Sequence, residues 1–212
     1  MRGKSTSVLA LASVLALGGQ AVPALAATTT WTVANPNADH SFSAVSGLLT
    51  VKNSAGRTLF TCQSINATGE MRSRSITSDA GPVLGSFTWA KANSCVDDEG
   101  IEWTGLLGGS YAFHYFNAVG FNAATGTTTF DQSMASLFNF YTVGSNRCFF
   151  VPKFKGMTYT NATSTLKTMK AEVVLGGDAS GTSCEGLLSQ GETITFTTEY
   201  KFTPAIKITA AG

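Results

Sequence analysis

Residues 192–202 read ETITFTTEYKF and alternate without a break. Ile194, Phe196, Thr198, Tyr200 and Phe202 fall on one side of an extended chain; Thr193, Thr195, Thr197, Glu199 and Lys201 fall on the other. Successive strand side chains point to opposite faces, so this stretch predicts a strand with its first set over a core and its second set toward solvent. The same period of two recurs at Trp31 and Val33, in residues 48–52 and 57–63, at Phe87 and Trp89, and in residues 111–116, 137–143, 149–155 and 166–175. Turn signals separate these runs: Ser54-Ala55-Gly56, Ala80-Gly81-Pro82, Gly108-Gly109, Thr125-Gly126 and Gly176-Gly177-Asp178. Many short strands with regular turns predict an all-β fold, an antiparallel β-sandwich or β-barrel. Residues 132–140 read two ways, as a helix through Met134, Leu137 and Phe138 or as the approach to a strand beginning at Leu137.

Composition points the same way. Only 13% of residues are charged, while the chain holds 22 glycines and 14 phenylalanines, a balance that suits pleated surfaces and disfavours exposed helices. Arg2 and Lys4 precede an apolar run over residues 8–17, and Ala24-Leu25-Ala26 supplies the small residues of a cleavage site. Residues 1–27 therefore read as a secretory signal peptide, leaving residues 28–212 as a single β domain. The apolar run ends at Gly18-Gly19-Gln20 after roughly ten residues, too short to span a bilayer as a helix. Removing Arg2 and Lys4 with the signal takes the formal charge from +1 to −1. That balance provides no electrostatic footprint for nucleic acid. Phosphate-binding loops and dinucleotide fingerprints are absent as well, and no cofactor is expected.

Export also interprets the four cysteines. In an oxidising compartment an even count predicts disulfides, and pairing sequence neighbours gives Cys62–Cys95 and Cys148–Cys184, each worth roughly 3–4 kcal/mol through loop closure. A faint repeat accompanies them. Each half carries a cysteine-bearing strand, then Asn-Ala-Thr (Asn66-Ala67-Thr68 and Asn161-Ala162-Thr163), then a second cysteine. This suggests pseudo-repeats over about residues 40–105 and 125–205, with both triplets in turns.

Few residues invite chemistry. The only histidines are His40 and His114. Asp39-His40-Ser41 are adjacent and cannot converge on one reacting atom, so they read as a solvated loop. In the run SYAFHYF, Tyr111, Phe113 and Tyr115 share one face and His114 shares the other with Phe116. Such a strand has two packed sides or one side facing a cavity. Tyr111, Phe113, His114, Tyr115 and Phe116, with Phe150 and Phe154, are the candidate ligand-binding residues. Asp97, Asp98 and Glu99 form the densest acidic patch; it lacks EF-hand spacing and is a weak metal candidate beside its reading as a solvated turn. In RCFFVPKFK, residues 147–155, Cys148, Phe150, Pro152 and Phe154 make one apolar face. Pro152 has no ladder donor, which predicts an edge strand or bulge, and Gly156 marks a bend.

The mature start Thr30-Trp31-Thr32-Val33, the glycine-punctuated residues 48–62, the Cys148-Phe149-Phe150-Val151 strand, Tyr159-Thr160-Asn161 and Thr203-Pro204-Ala205 together resemble a loose set of actinobacterial secreted β-proteins of unknown function. The resemblance spans most of the mature chain through scaffold features. It implies an exported β-protein and carries over no catalytic residue. The leading expectation is a secreted non-enzymatic domain binding an apolar small molecule, a lipid or a cell-envelope component. The alternatives are an oligomeric envelope or pore-forming protein and a hydrolase using His114 with an acidic partner.

Overall fold

The computed structural model describes residues 28–108, 114–132, 138–144, 148–175, 184 and 186–212. The signal segment 1–27, Tyr111, Phe113, and the Met134 and Leu137 positions of the ambiguous segment lie outside the described residues. Strand β1 (Thr29–Ala34) opens the described chain. Eight antiparallel strand paths then follow in chain order and close on themselves as a barrel. They are β2 (Ser41–Ser46) continued by β3 (Leu49–Lys52), then β4 (Thr58–Glu70), and after the excursion of β5 (Arg74–Ser78) the long β6 (Val83–Val96). Next come β7 (Glu102–Leu107) with β8 (His114–Asn122), β9 (Thr127–Asp131) with β10 (Asn139–Thr142), and β11 (Phe149–Lys155) with β12 (Met157–Thr160). The last two are β13 (Thr165–Leu175) and β14 (Thr193–Thr203), and β15 (Lys207–Ala211) ends the chain. Each long strand pairs along one edge with two short ones laid end to end: β4 with β2 and β3, β6 with β7 and β8, β13 with β11 and β12. β14 returns to β2 and β3 and closes the ring.

The alternation of residues 192–202 is realised as expected. Ile194, Phe196, Thr198, Tyr200 and Phe202 are all buried, and the intervening threonines, Glu199 and Lys201 are exposed. An eight-stranded barrel is just wide enough for side chains to fill, and here aromatic rings fill it. Phe60 stacks on Trp103 at 4.5 Å, Phe42 on Phe202 at 4.6 Å, and Phe154 meets Phe196 edge-on at 4.8 Å. Burying each such side chain contributes roughly 1.5–3 kcal/mol. Most of the described phenylalanines are buried in this core.

One end of the barrel is closed by a lid, the three-stranded sheet β15–β1–β5. Trp31, Val33 and Ile208 are buried beneath it, and Trp31 meets Phe121 edge-on. Asn161 grips β15 from the barrel, donating through Nδ2 to the Ile208 carbonyl at 2.7 Å and accepting the Ile208 N–H at 2.9 Å. The opposite end, the mouth, is framed by residues 53–57 and 97–101 and by the approach to β14.

Both expected disulfides are present. They occupy unlike positions, however. Cys62 and Cys95 face each other across paired β4 and β6, whereas Cys148 ties the start of β11 to Cys184 ahead of β14. The Asn-Ala-Thr triplets differ too: Asn161-Ala162-Thr163 lies in the β12–β13 turn as expected, but Asn66-Ala67-Thr68 lies within β4, where Asn66 pairs with Lys91. Pro152 also corrects an expectation. Strand β11 is not an edge, since it pairs with β10 and β13. The Phe154 N–H points to Gln132 Oε1, and by alternation the Pro152 nitrogen faces the same side, beyond Phe149 and Phe150, the only residues of β11 paired with β10. Proline is accepted where no ladder donor is required. Gly156 takes φ 64° between β11 and β12, the expected bend.

Candidate binding site at the barrel mouth

The interior comes first, because five of the seven candidate ligand residues, His114, Tyr115, Phe116, Phe150 and Phe154, are among the described residues of β8 and β11 that wall it. His114, Phe116, Phe150 and Phe154 do point inward and are buried. His114, Phe116 and Phe154 meet: the imidazole centroid lies 5.6 Å from Phe116 and 5.3 Å from Phe154, with Phe87 at 5.8 Å. Phe150 belongs to a separate stack with Phe60, Trp103 and Phe140 nearer the mouth. Tyr115 points outward and is partly exposed. The void remaining beside His114 measures about 10 Å³, which holds at most one water. Phe87, Phe154 and Tyr200 are among its walls, and among the described residues no carboxylate lines it. His114 Nε2 has no hydrogen-bond partner among the described residues. Burial lowers its pKa to about 3, so the ring is neutral at ordinary pH. Burial likewise raises the pKa of the Tyr200 hydroxyl. These residues compose an aromatic core around one buried imidazole.

His40 also lacks catalytic surroundings. It sits at φ 64° in a tight turn, and the Asp39 carboxylate accepts the backbone N–H of Ser41 at 3.0 Å and its hydroxyl at 2.8 Å. Those bonds hold the Asp39 pKa below the usual carboxylate value. The three residues form a local turn, as the sequence suggested.

The mouth offers a cavity. It measures about 160 Å³, with a floor of Leu59, Ile101, Trp103, Thr142 and Leu187. Its rim consists of Arg57, Asp97, Asp98 and Glu99. Local strand irregularity builds the floor. A register shift between β3 and β4 leaves Leu59 unpaired, and both Leu59 and Phe60 are buried in succession. A bulge re-aims a side chain in this way, turning Leu59 over the mouth. Trp103 is fixed on two sides, stacked on Phe60 and donating Nε1–H to Asp97 Oδ2 at 3.2 Å. Leu187 hangs from the disulfide, with its N–H donating to the Cys184 carbonyl at 2.7 Å.

The acidic rim is differentiated. Asp97 is committed to the turn, since Oδ1 accepts the N–H groups of Glu99 at 3.0 Å and Ile101 at 2.8 Å while Oδ2 takes the indole. Asp98 stands 3.6 Å from Arg57 with both side chains more than half exposed, a pair worth little in water. Glu99 is exposed and is engaged through its backbone N–H. Among the described residues no group of three or more His, Cys, Asp or Glu side chains is placed to hold a metal ion. The weak metal candidate Asp97, Asp98 and Glu99 is thus a structured turn whose carboxylates have separate roles. A second depression of about 540 Å³, near Thr68, Thr203 and Pro204 on the outer wall, is shallow and open.

Leu59, Ile101, Trp103 and Leu187 were not singled out from sequence. A signal existed for one of them, because Leu59-Phe60 breaks the alternation of its strand and adjacent buried residues announce a bulge. No family model, curated protein or solved structure matches this chain.

Proposed function

We propose that this protein is an exported, non-enzymatic β-barrel that binds a small, partly apolar molecule at its mouth. One observation carries the reading: the interior retains about 10 Å³ beside His114, whereas the mouth holds about 160 Å³ over an apolar floor with a charged rim. A cavity of ~150 Å³ accommodates a benzene-sized body. Barrel mouths are common ligand sites. Export is supported by the signal-like residues 1–27 and by two disulfides, which persist in oxidising compartments. Among the described residues no helix is long and apolar enough to cross a membrane.

Two other readings fit less well. A hydrolase centred on His114 finds, among the described residues, no carboxylate lining the void beside the imidazole, and the ring is buried in aromatic packing. A membrane pore needs an apolar outer band around a polar lumen. Here β14 turns threonines, Glu199 and Lys201 outward and packs phenylalanine inside.

The test follows the indole N–H of Trp103 by NMR while compact aromatic probes such as phenol and 2-phenylethanol are titrated. Binding at the mouth shifts the Trp103 signal and leaves those of Trp31 and Trp89 in place. Leu187→Trp, which fills the cavity, abolishes the shift. Saturable binding that survives Leu187→Trp would overturn the assignment to the mouth.

A further inference from the structure

The mouth pairs an apolar floor with an unbalanced rim, and we infer that its ligand is an organic cation, an ammonium or guanidinium group carried on a compact apolar body. The inference rests on the proposed mouth site and deepens it. The cavity is the primary observation: about 160 Å³ enclosed by Leu59, Ile101, Trp103 and Leu187 selects an apolar body about the size of one aromatic ring. Charge then selects the head group.

Among the described residues, three that carry a carboxylate and one that carries a guanidinium line the same cavity, a formal charge of −2. Asp97 is held by three donors of the protein itself and serves to orient the turn and the indole. Arg57 offsets Asp98 in part, at 3.6 Å and in solvent. Glu99 lines the same cavity on the turn that the Asp97 bonds hold, and its side chain makes none of those bonds. An anionic ligand would meet Glu99 and Asp98 as like charges. A neutral ligand would use the floor and gain nothing from the rim. A cation bound by its apolar end brings its charge to the carboxylates, where partial enclosure reduces screening.

The distinguishing experiment uses three probes of one shape: 2-phenylethylammonium, neutral 2-phenylethanol and anionic 3-phenylpropionate. Each is titrated calorimetrically and by the Trp103 indole signal at low and high salt. The expected order is cation tightest and anion weakest, with the cation's advantage shrinking as salt rises. Glu99→Gln weakens the cation by roughly threefold and leaves the alcohol unchanged. Asp98→Asn acts in the same direction, diminished because it also frees Arg57. Both positions are exposed, so folding is retained.

If the alcohol and the ammonium bind alike and Glu99→Gln changes neither, the cation preference is wrong while the mouth site stands. If no probe moves the Trp103 signal, both fall.

Discussion

Phe140 lies across Gly105, its cross-strand partner on β7, so closely that a Cβ there would come within 2.9 Å of both Cδ1 and Cζ of the ring. The same relationship holds between Phe42 and Gly69 on β2 and β4. In both pairs the missing side chain gives an interior ring its resting place. Gly105→Ala should therefore destabilise the protein by about 1–3 kcal/mol through overpacking. Gly47→Ala, whose added methyl meets nothing within 4 Å, should stay within about 0.5 kcal/mol of the parent. Urea unfolding with unchanged slope checks both.

His114 makes the fold acid-sensitive. Its pKa is about 3 in the barrel against 6.5 for the free side chain, so below pH 6.5 the unfolded chain takes up a proton that the native state refuses. Stability is then full above pH 6.5 and falls as the pH drops toward 3, with a slope approaching about 1.4 kcal/mol per pH unit. Measured between pH 6.5 and 5, above the range of ordinary carboxylates, that slope should be present in the parent and nearly flat in His114→Phe. An equal slope in the two proteins would place the sensitivity elsewhere.

Asn35 is the polar tie between the lid and the barrel rim. Its Nδ2 reaches the carbonyls of His40 at 2.8 Å, Met71 at 3.1 Å and Ser41 at 3.2 Å, while Oδ1 accepts the Asn37 N–H at 3.0 Å. Removing this buried donor takes a bond from all three carbonyls, of which His40 keeps the Met71 N–H and Ser41 keeps Asn37 Nδ2, at a cost of about 1–3 kcal/mol. Asn35→Ala should lose that much. Asn35→Asp should lose more at neutral pH, because a carboxylate would face those carbonyls. Hydrogen exchange should quicken in β1 and β5 before β13.

The two disulfides should separate stability from binding. Cys148→Ser with Cys184→Ser releases the segment carrying Leu187, costing about 2–4 kcal/mol and weakening any probe at the mouth. Cys62→Ala with Cys95→Ala removes a link between strands already paired and should leave probe affinity closer to the parent. Thermal melts together with the Trp103 titration read both quantities.

The barrel was legible wherever alternation was strong. β14 could be divided into inner and outer faces residue by residue because nothing interrupts its period, and β11 likewise placed Phe150 and Phe154 inside. β5 was invisible, since RSITS offers only Ile76 to a core and becomes a strand because β1 presents an edge to it. Asn66-Ala67-Thr68 looked like a turn from its composition, yet flanking Ile65 and the pairing with β6 hold it extended. For His114, sequence favoured a packed side over a cavity without deciding between them. The outcome depended on Phe87 and Phe154, brought in from distant strands, and no local pattern records that. The mouth was least legible, because its floor gathers Leu59, Ile101, Trp103 and Leu187 from separate segments and only the bulge at Leu59 leaves a trace in its own stretch.

The lid is woven from the two ends of the described chain, with Thr30 opposite Ala211 and Val33 opposite Ile208. Those partners lie nearly the whole described chain apart in sequence. Until Lys207 and the residues after it emerge, Trp31 and Val33 have β5 on one flank and nothing on the other. The lid is thus completed by β15, and a chain cut short before residue 207 would leave the lid end unlatched.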